Sequence, residues 1–188
     1  MKKISSSSSA TIMMALSFSI IIILIIVNSV IASRTCPRGC DCIETLLITN
    51  CSVSSQLEYV PHTLNPSLKK LYLPRNNIRR IDTAFDVYKN LIYLDLSSNL
   101  ITTIVNNNFQ YNSELQTILL KNNSLFMLEP KAFNGLNLLK ILDLSFNRIE
   151  MINGSIFKNL NSLQILDLSF NLLKILNETK ATTKNTKI

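Results

Sequence analysis

Three glycines, Gly39, Gly135 and Gly154, are all that the 188 residues contain, and they stand far apart. Without clustered glycine there is no loop whose backbone could wrap a phosphate in either the dinucleotide or the P-loop pattern, so nucleotide chemistry is excluded. Histidine is scarcer still: His62 alone cannot build a multi-histidine metal site, and no Cys or Ser motif beside it suggests a nucleophile pair. Cysteine is absent outside the window Cys36 to Cys51, and charge is absent between Lys3 and Arg34. The length leaves room for one domain plus a targeting segment and excludes a large multidomain enzyme. With 47% apolar and 16% charged residues, the chain has the composition of a folded protein rather than a disordered one. These absences remove catalytic, cofactor and metal chemistry and turn attention to what recurs.

The uncharged stretch has the layout of a secretory signal peptide. Lys2 and Lys3 precede it, Ile12 to Val27 is strongly apolar, and Val30-Ile31-Ala32 offers modest side chains for cleavage after Ala32. The alternative is an uncleaved anchor, which would leave a type II membrane protein. As a helix, Ile12 to Val27 spans only about 24 Å of a roughly 30 Å hydrocarbon core. In both cases the two lysines hold the amino end in the cytoplasm and send the remainder to the oxidising side. Loss of residues 1–32 leaves 17 basic against 12 acidic side chains, a mildly basic mature chain.

In that setting Cys36-Pro37-Arg38-Gly39-Cys40-Asp41-Cys42 and Cys51 read as two disulfides. A bridge from Cys40 to Cys42 across one residue would be strained, which leaves two pairings open. A zinc site would need two clean cysteine pairs and a reducing compartment.

The pattern L-x-x-L-x-L-x-x-N-x-L then occurs five times, opening at Leu68, Leu91, Leu115, Leu139 and Leu163 at intervals of 23, 24, 24 and 24. Within each copy the L-x-L alternation reads as a short strand with one face in a core. One copy cannot bury its own apolar edge, so the copies must stack. Asn76, Asn99, Asn123, Asn147 and Asn171 recur where each strand ends, and a side-chain amide there can donate to and accept from the backbone of the turn. Phe85, Phe109, Phe133 and Phe157 form a second column, expected to stack as an aromatic spine on the convex side.

The cysteine run, the Tyr59-Val60-Pro61 that follows and the repeats together resemble extracellular leucine-rich repeat proteins with a cysteine-rich amino-terminal cap. That family includes Toll-like innate immune receptors, Slit axon guidance proteins and small leucine-rich proteoglycans. The resemblance covers residues 35–176. It implies an α/β leucine-rich repeat solenoid: a short parallel concave sheet, irregular convex segments and a disulfide-bonded cap with Cys36 joined to Cys42 and Cys40 to Cys51. It also implies noncovalent binding without catalysis. The organisation expected is a signal peptide at 1–32, a cap at 33–61, five repeats at 62–176 with the last incomplete, and a polar tail at 177–188.

A partner would meet the side chains between the leucines. One column carries Lys70, Tyr93, Thr117, Ile141 and Ile165; the next carries Tyr72, Asp95, Leu119, Asp143 and Asp167. The amino-terminal end is basic, with Lys69, Lys70, Arg75, Arg79 and Arg80 near Arg34 and Arg38. Clustered cations there would suit an anionic glycan or an acidic protein; the plain alternative is a solvated rim. Leu119, Ile141 and Ile165 are expected to expose aliphatic surface fit for a protein partner. Asp143 and Asp167 should lie side by side, but D-L-S belongs to the repeat and no nucleophile neighbours them, so acid/base work is not expected. His62 is expected at the surface.

Sequons stand at Asn50, Asn122, Asn153 and Asn177. That at Asn50 is compromised by Cys51, while Asn153 and Asn177 share one repeat position on the turn leaving the sheet. The expected partner is an extracellular protein or anionic glycan, with no nucleic acid and with a membrane only if the leading segment is retained. The repeats show no carboxyl-terminal cap in the sequence. Three readings follow: an open end that forms a homodimer, a portion of a longer receptor, or a tail that folds back as a cap. A structural matrix component is the rival from another class.

Overall fold

A computed structural model of the protein describes residues 36–52, 56–177 and 185–187. All of them lie in the compact unit that begins at Cys36. The expected signal segment and Arg34 fall outside the described residues. The strands, in chain order, are β1 (Asp41–Ile43), β2 (Ile48–Asn50), β3 (Lys70–Tyr72), β4 (Tyr93–Asp95), β5 (Thr103–Ile104), β6 (Thr117–Leu119), β7 (Met127–Leu128), β8 (Ile141–Asp143), β9 (Met151–Asn153), β10 (Ile165–Asp167), β11 (Ile175–Asn177) and β12 (Asn185–Lys187). Helix among the described residues is confined to 3-10 turns at Glu44–Leu46 and Gly154–Phe157.

One sheet of eight strands, in the order β1-β2-β3-β4-β6-β8-β10-β12, forms the concave floor. Only the first pair is antiparallel, Asp41 facing Asn50; every later pair is parallel and in the repeat register, as in Leu71 with Leu94 and Ile118 with Leu142. The central residue of each repeat strand points inward: Leu71, Leu94, Ile118, Leu142 and Leu166 have no exposed surface. The residues beside them face out. This is the period of two written by the L-x-L pattern. Two small parallel pairs, β5 with β7 and β9 with β11, lie outside this sheet.

Two repeating contacts hold the turns together. The first is a ladder of asparagine side chains. Asn99 donates from Nδ2 to the Leu96 carbonyl of its own turn and to the Leu73 carbonyl of the turn before, while its Oδ1 accepts from the Ile78 amide. Asn123 and Asn147 repeat the pattern with Ile101 and Leu125 as donors. Each amide therefore serves backbone groups of two turns at once, more than the single turn that the sequence suggests. These groups are buried, and unpaired they would each cost about 1–3 kcal/mol. The second contact is the aromatic spine: Phe85, Phe109, Phe133 and Phe157 stack at successive centroid distances of 5.5, 6.3 and 6.4 Å. Nearby, Gly135 takes φ +90° and passes so close to Gln110 that an added Cβ would sit 2.9 Å from its carbonyl oxygen.

At the amino-terminal end Cys36 is bonded to Cys42 and Cys40 to Cys51, the pairing that the resemblance implies. Cys51 is fully buried and its amide donates to the Tyr72 carbonyl, so the cap continues the backbone ladder of the repeats. Tyr88 adds a second tie, its hydroxyl donating to the Pro61 carbonyl. Burial pushes the Tyr88 hydroxyl up to about 12, opposed by a backbone hydrogen bond at Leu64.

At the opposite end the described part of the tail folds back onto the last repeat, the third of the readings left open by the sequence. The carbonyl of Lys187 accepts from the Leu168 amide at 2.8 Å, and β12 pairs with β10 in the parallel sense. The part of the tail at 185–187 is therefore a sheet strand that covers the backbone of the last repeat.

Asn123→Ala leaves the Leu96 and Leu120 carbonyls and the Ile101 amide short of a partner. The variant should lose roughly 3 kcal/mol in urea unfolding; a loss below about 0.5 kcal/mol would show that the ladder is not structural. For Tyr88, the folded state retains its proton at a pH where the unfolded chain has lost it, so stability falls as pH rises from about 10 to 12. The slope should be clearly shallower in Tyr88→Phe, with what remains carried in part by Tyr93, whose hydroxyl is also raised.

Candidate functional site: the concave floor

The repeat register places each outward side chain beside its counterpart on the next strand. Lys70 lies beside Tyr93, Thr117 beside Ile141, and Ile141 beside Ile165; in the second column Tyr72 lies beside Asp95, Leu119 beside Asp143, and Asp143 beside Asp167. The two columns form one floor, and it is not uniform along its length.

Toward the amino end, Tyr72 and Tyr93 pack ring to ring at 4.9 Å with their planes tilted by 37°. They come from different columns of adjacent strands, so neither column shows the pair by itself. The Tyr93 hydroxyl is raised above its usual value by burial first, then by the carboxylate of Asp95 and by Tyr72. It stays neutral and able to donate a hydrogen bond throughout the physiological range. Both residues are half-buried.

Toward the carboxyl end the carboxylates are adjacent, as expected, but already engaged. Asp143 Oδ1 accepts from the backbone and hydroxyl of Ser145 at 2.9 and 2.6 Å; Asp167 does the same with Ser169 at 3.0 and 2.5 Å. Asp95 accepts from the Ser97 amide. These contacts close the turn after each strand, which explains why D-L-S recurs. The aliphatic surface is smaller than expected: Ile165 is exposed, whereas Leu119 and Ile141 are half-buried, and Leu119 belongs to the aspartate column.

The basic end is also less concentrated than the sequence suggests. Lys70 stands on the floor and Arg75 on the turn after β3, whereas Arg80 is bonded to Asp82 at 3.1 Å and lines a hollow of about 390 Å³ with Tyr59 and His62. His62 is exposed, as expected. Along the five repeat strands the two floor columns carry one lysine and three aspartates, and Lys187 of β12 continues the second column beside Asp167, so carboxylates outnumber lysines there.

Sequence reasoning missed a third column at the rim. Arg75, Ser98, Asn122, Phe146 and Phe170 occupy the turn after each repeat strand, all with φ between +55° and +58°. Only their amides are needed there, as when Phe146 donates to Ser169 and Asn122 to Ser145. Phe146 and Phe170 stack at 4.2 Å, and Lys121 lies 5.1 Å from the Phe146 ring centre. The signal was the repeated Ser-Phe-Asn at 145–147 and 169–171. Asn122 lies on this rim, exposed, with Nδ2 donating to Ser98 Oγ. Asn153 and Asn177 are not on the turn leaving the main sheet; they face each other across the β9–β11 pair.

This geometry matches a known architecture. The profile described as Leucine rich repeat matches residues 66–125 and 113–173. The chain belongs to the leucine-rich repeat family. Among curated proteins it is similar to leucine-rich repeat-containing protein 66 of Homo sapiens and of Rattus norvegicus, each 38% identical over 80 residues, 43% of this chain and 9% of the relative. Among solved structures it is similar to the protein in the crystal structure of a TLR13–ssRNA13 complex, with a TM-score of 0.56 and 35% identity over 61% of this chain and 17% of that one. The chain thus spans a small fraction of the length of these leucine-rich repeat proteins. Family membership makes it a repeat scaffold of the kind that typically binds rather than catalyses.

Replacing Asp95 with Asn should move the Tyr93 ionisation down toward 10, because a carboxylate that disfavours tyrosinate is lost. Ultraviolet difference titration of Asp95→Asn against the parent checks this; an unchanged Tyr93 transition would contradict the floor geometry.

Proposed function

We propose that the protein is exported and recognises an extracellular protein partner on its concave floor. Recognition is noncovalent, centred on the Tyr72–Tyr93 pair with Lys70 and Asp95 around it. The observation that carries this reading is the tyrosine pair itself. Two half-buried rings on paired strands, each with a hydroxyl at its tip, present amphipathic area at low entropic cost, and Tyr is enriched where binding energy concentrates. Ile141, Ile165, Asp143 and Asp167 extend the contact toward the carboxyl end, and Arg75 borders it.

A polyanion suits this floor less well. Its columns carry more aspartate than lysine, and Arg80 already has a carboxylate partner. Protein recognition is favoured over an anionic glycan on that ground. Export through a segment cleaved after Ala32 agrees with two disulfides, which persist in oxidising compartments. Glycans at Asn122, Asn153 and Asn177 belong to the same reading, and one at Asn122 would narrow access to the floor from its rim. The floor would serve a free binder, a stretch of a longer receptor or an adhesive matrix component alike.

The test is capture from extracellular fluid by the immobilised mature chain, with bound proteins identified and their affinity measured. Tyr72→Ala and Tyr93→Ala should each weaken the captured protein roughly 10- to 30-fold, and Arg79→Ala should leave it unchanged. Retention on heparin beyond a neutral control, with protein capture indifferent to both tyrosines, would overturn the reading.

A further inference from the structure

Asn122 is a sequon asparagine that stands on the rim of the floor. It follows β6, it is exposed, and its backbone is left-handed at φ +55°, a conformation that asparagine adopts more readily than most residues. The other sequons are placed differently. Asn50 is half-buried beside the disulfide-bonded Cys51, with its Oδ1 taken by the Ser52 amide. Asn153 lies on β9, outside the main sheet, and its Oδ1 accepts from the Ser155 amide.

The nitrogen of Asn122 that a sugar would occupy has a direction. Nδ2 donates to Ser98 Oγ at 3.1 Å, and Ser98 is the rim residue of the turn before, after β4. The next rim residue on that side is Arg75, after β3, and it is exposed. On the opposite side the Asn122 amide donates to the Ser145 carbonyl, which sets Phe146 as the neighbour, and Lys121 lies 5.1 Å from the centre of that ring. A short hydroxyl therefore borders Asn122 toward the amino end, and a ring with a cation over it borders Asn122 toward the carboxyl end. Tyr72 and Tyr93 lie on β3 and β4, the strands that lead to Arg75 and Ser98.

We propose that Asn122 carries an N-linked glycan that overhangs Ser98 and Arg75 and gates the approach of a protein partner to the Tyr72–Tyr93 pair. This rests on the export and floor readings above and names the regulation of that site. In the transfer, Nδ2 attacks C1 of the first sugar of a lipid-diphosphate-linked oligosaccharide. The C1–N bond forms, the C1–O bond to the diphosphate breaks, the lipid diphosphate leaves with the bonding pair, and Nδ2 gives up one proton. The amide keeps its other N–H, so the bond to Ser98, and with it the direction of the sugar, is preserved. Arg75 stands two strand spacings from Asn122, about 10 Å, which the core of a branched glycan spans. Transfer precedes closure of this turn. Asn123, the middle of the sequon, is buried in the asparagine ladder, and the Ser124 amide is held by the Ile101 carbonyl, which closes the folded sequon to an enzyme.

The full chain secreted from a eukaryotic cell tests this. Peptide mass spectrometry should find a glycan on Asn122 that Ser124→Ala abolishes. Direction is then read with Arg75→Cys and Phe146→Cys, two rim positions of which the turn uses the amide, each made with and without Ser124→Ala. A polyethylene glycol maleimide should label Arg75→Cys several-fold faster when the glycan is absent and Phe146→Cys at a rate that barely changes, while the small N-ethylmaleimide labels both at constant rates. An unmodified Asn122 in secreted chain would overturn the proposal. So would polymer labelling of Arg75→Cys that is indifferent to the glycan, or equal slowing at both positions. Capture that ignores Tyr72 and Tyr93 would sink the partner reading and leave these labelling rates as they are, so the two failures are distinguishable.

Discussion

The constraint on which the structure depends is that every buried backbone amide and carbonyl must find a partner, in a fold whose strands are only three residues long. Strands this short pair few groups among themselves, and the chain then enters turns whose polar atoms are equally enclosed. The asparagine rungs supply the missing partners. Because Asn99, Asn123 and Asn147 each reach both their own turn and the preceding one, they convert a local requirement into a cross-link between repeats. Leucine burial supplies the driving force; the rungs fix the geometry in which it operates. The polar groups that recur are consumed in holding the turns.

The same logic orders the surface. Aspartates at 95, 143 and 167 recur because they close the turn after the strand, and the rim residues take a left-handed conformation because their amides must meet the next turn's carbonyls. The outward side chains in between have no such structural duty, and the proposed recognition uses them. The tyrosine pair near the cap sits on two paired strands, and the disulfides tie down the amino-terminal edge of the same sheet.

Much of this was legible in the residues. The 24-residue period, the asparagines and the phenylalanine column are regularities of spacing, and spacing survives into structure because each repeat sees the same neighbours. The disulfide pairing followed from family resemblance rather than from distance, since the cysteine spacing left two solutions. Other features were not legible. That an asparagine also serves the previous turn depends on a carbonyl 26 or 27 residues away. The Phe146–Phe170 stack crosses repeats at a position where three other turns hold Arg, Ser or Asn. The basic residues of the first repeat read as one cluster in sequence, but the turn sends Arg80 toward Asp82 and leaves Lys70 on the floor. Strand β12 carries no leucine at all, and it joins the sheet through backbone pairing, which side-chain patterning does not record.

Residue-resolved hydrogen exchange tests the central claim most directly. The amides of Ile78, Ile101, Leu125 and Ile149 are bonded to asparagine Oδ1 atoms, and the account predicts that they exchange as slowly as the ladder amides of Leu96, Leu120 and Leu144. Exchange of these four at the rate of exposed turns, while the ladder stays protected, would contradict it.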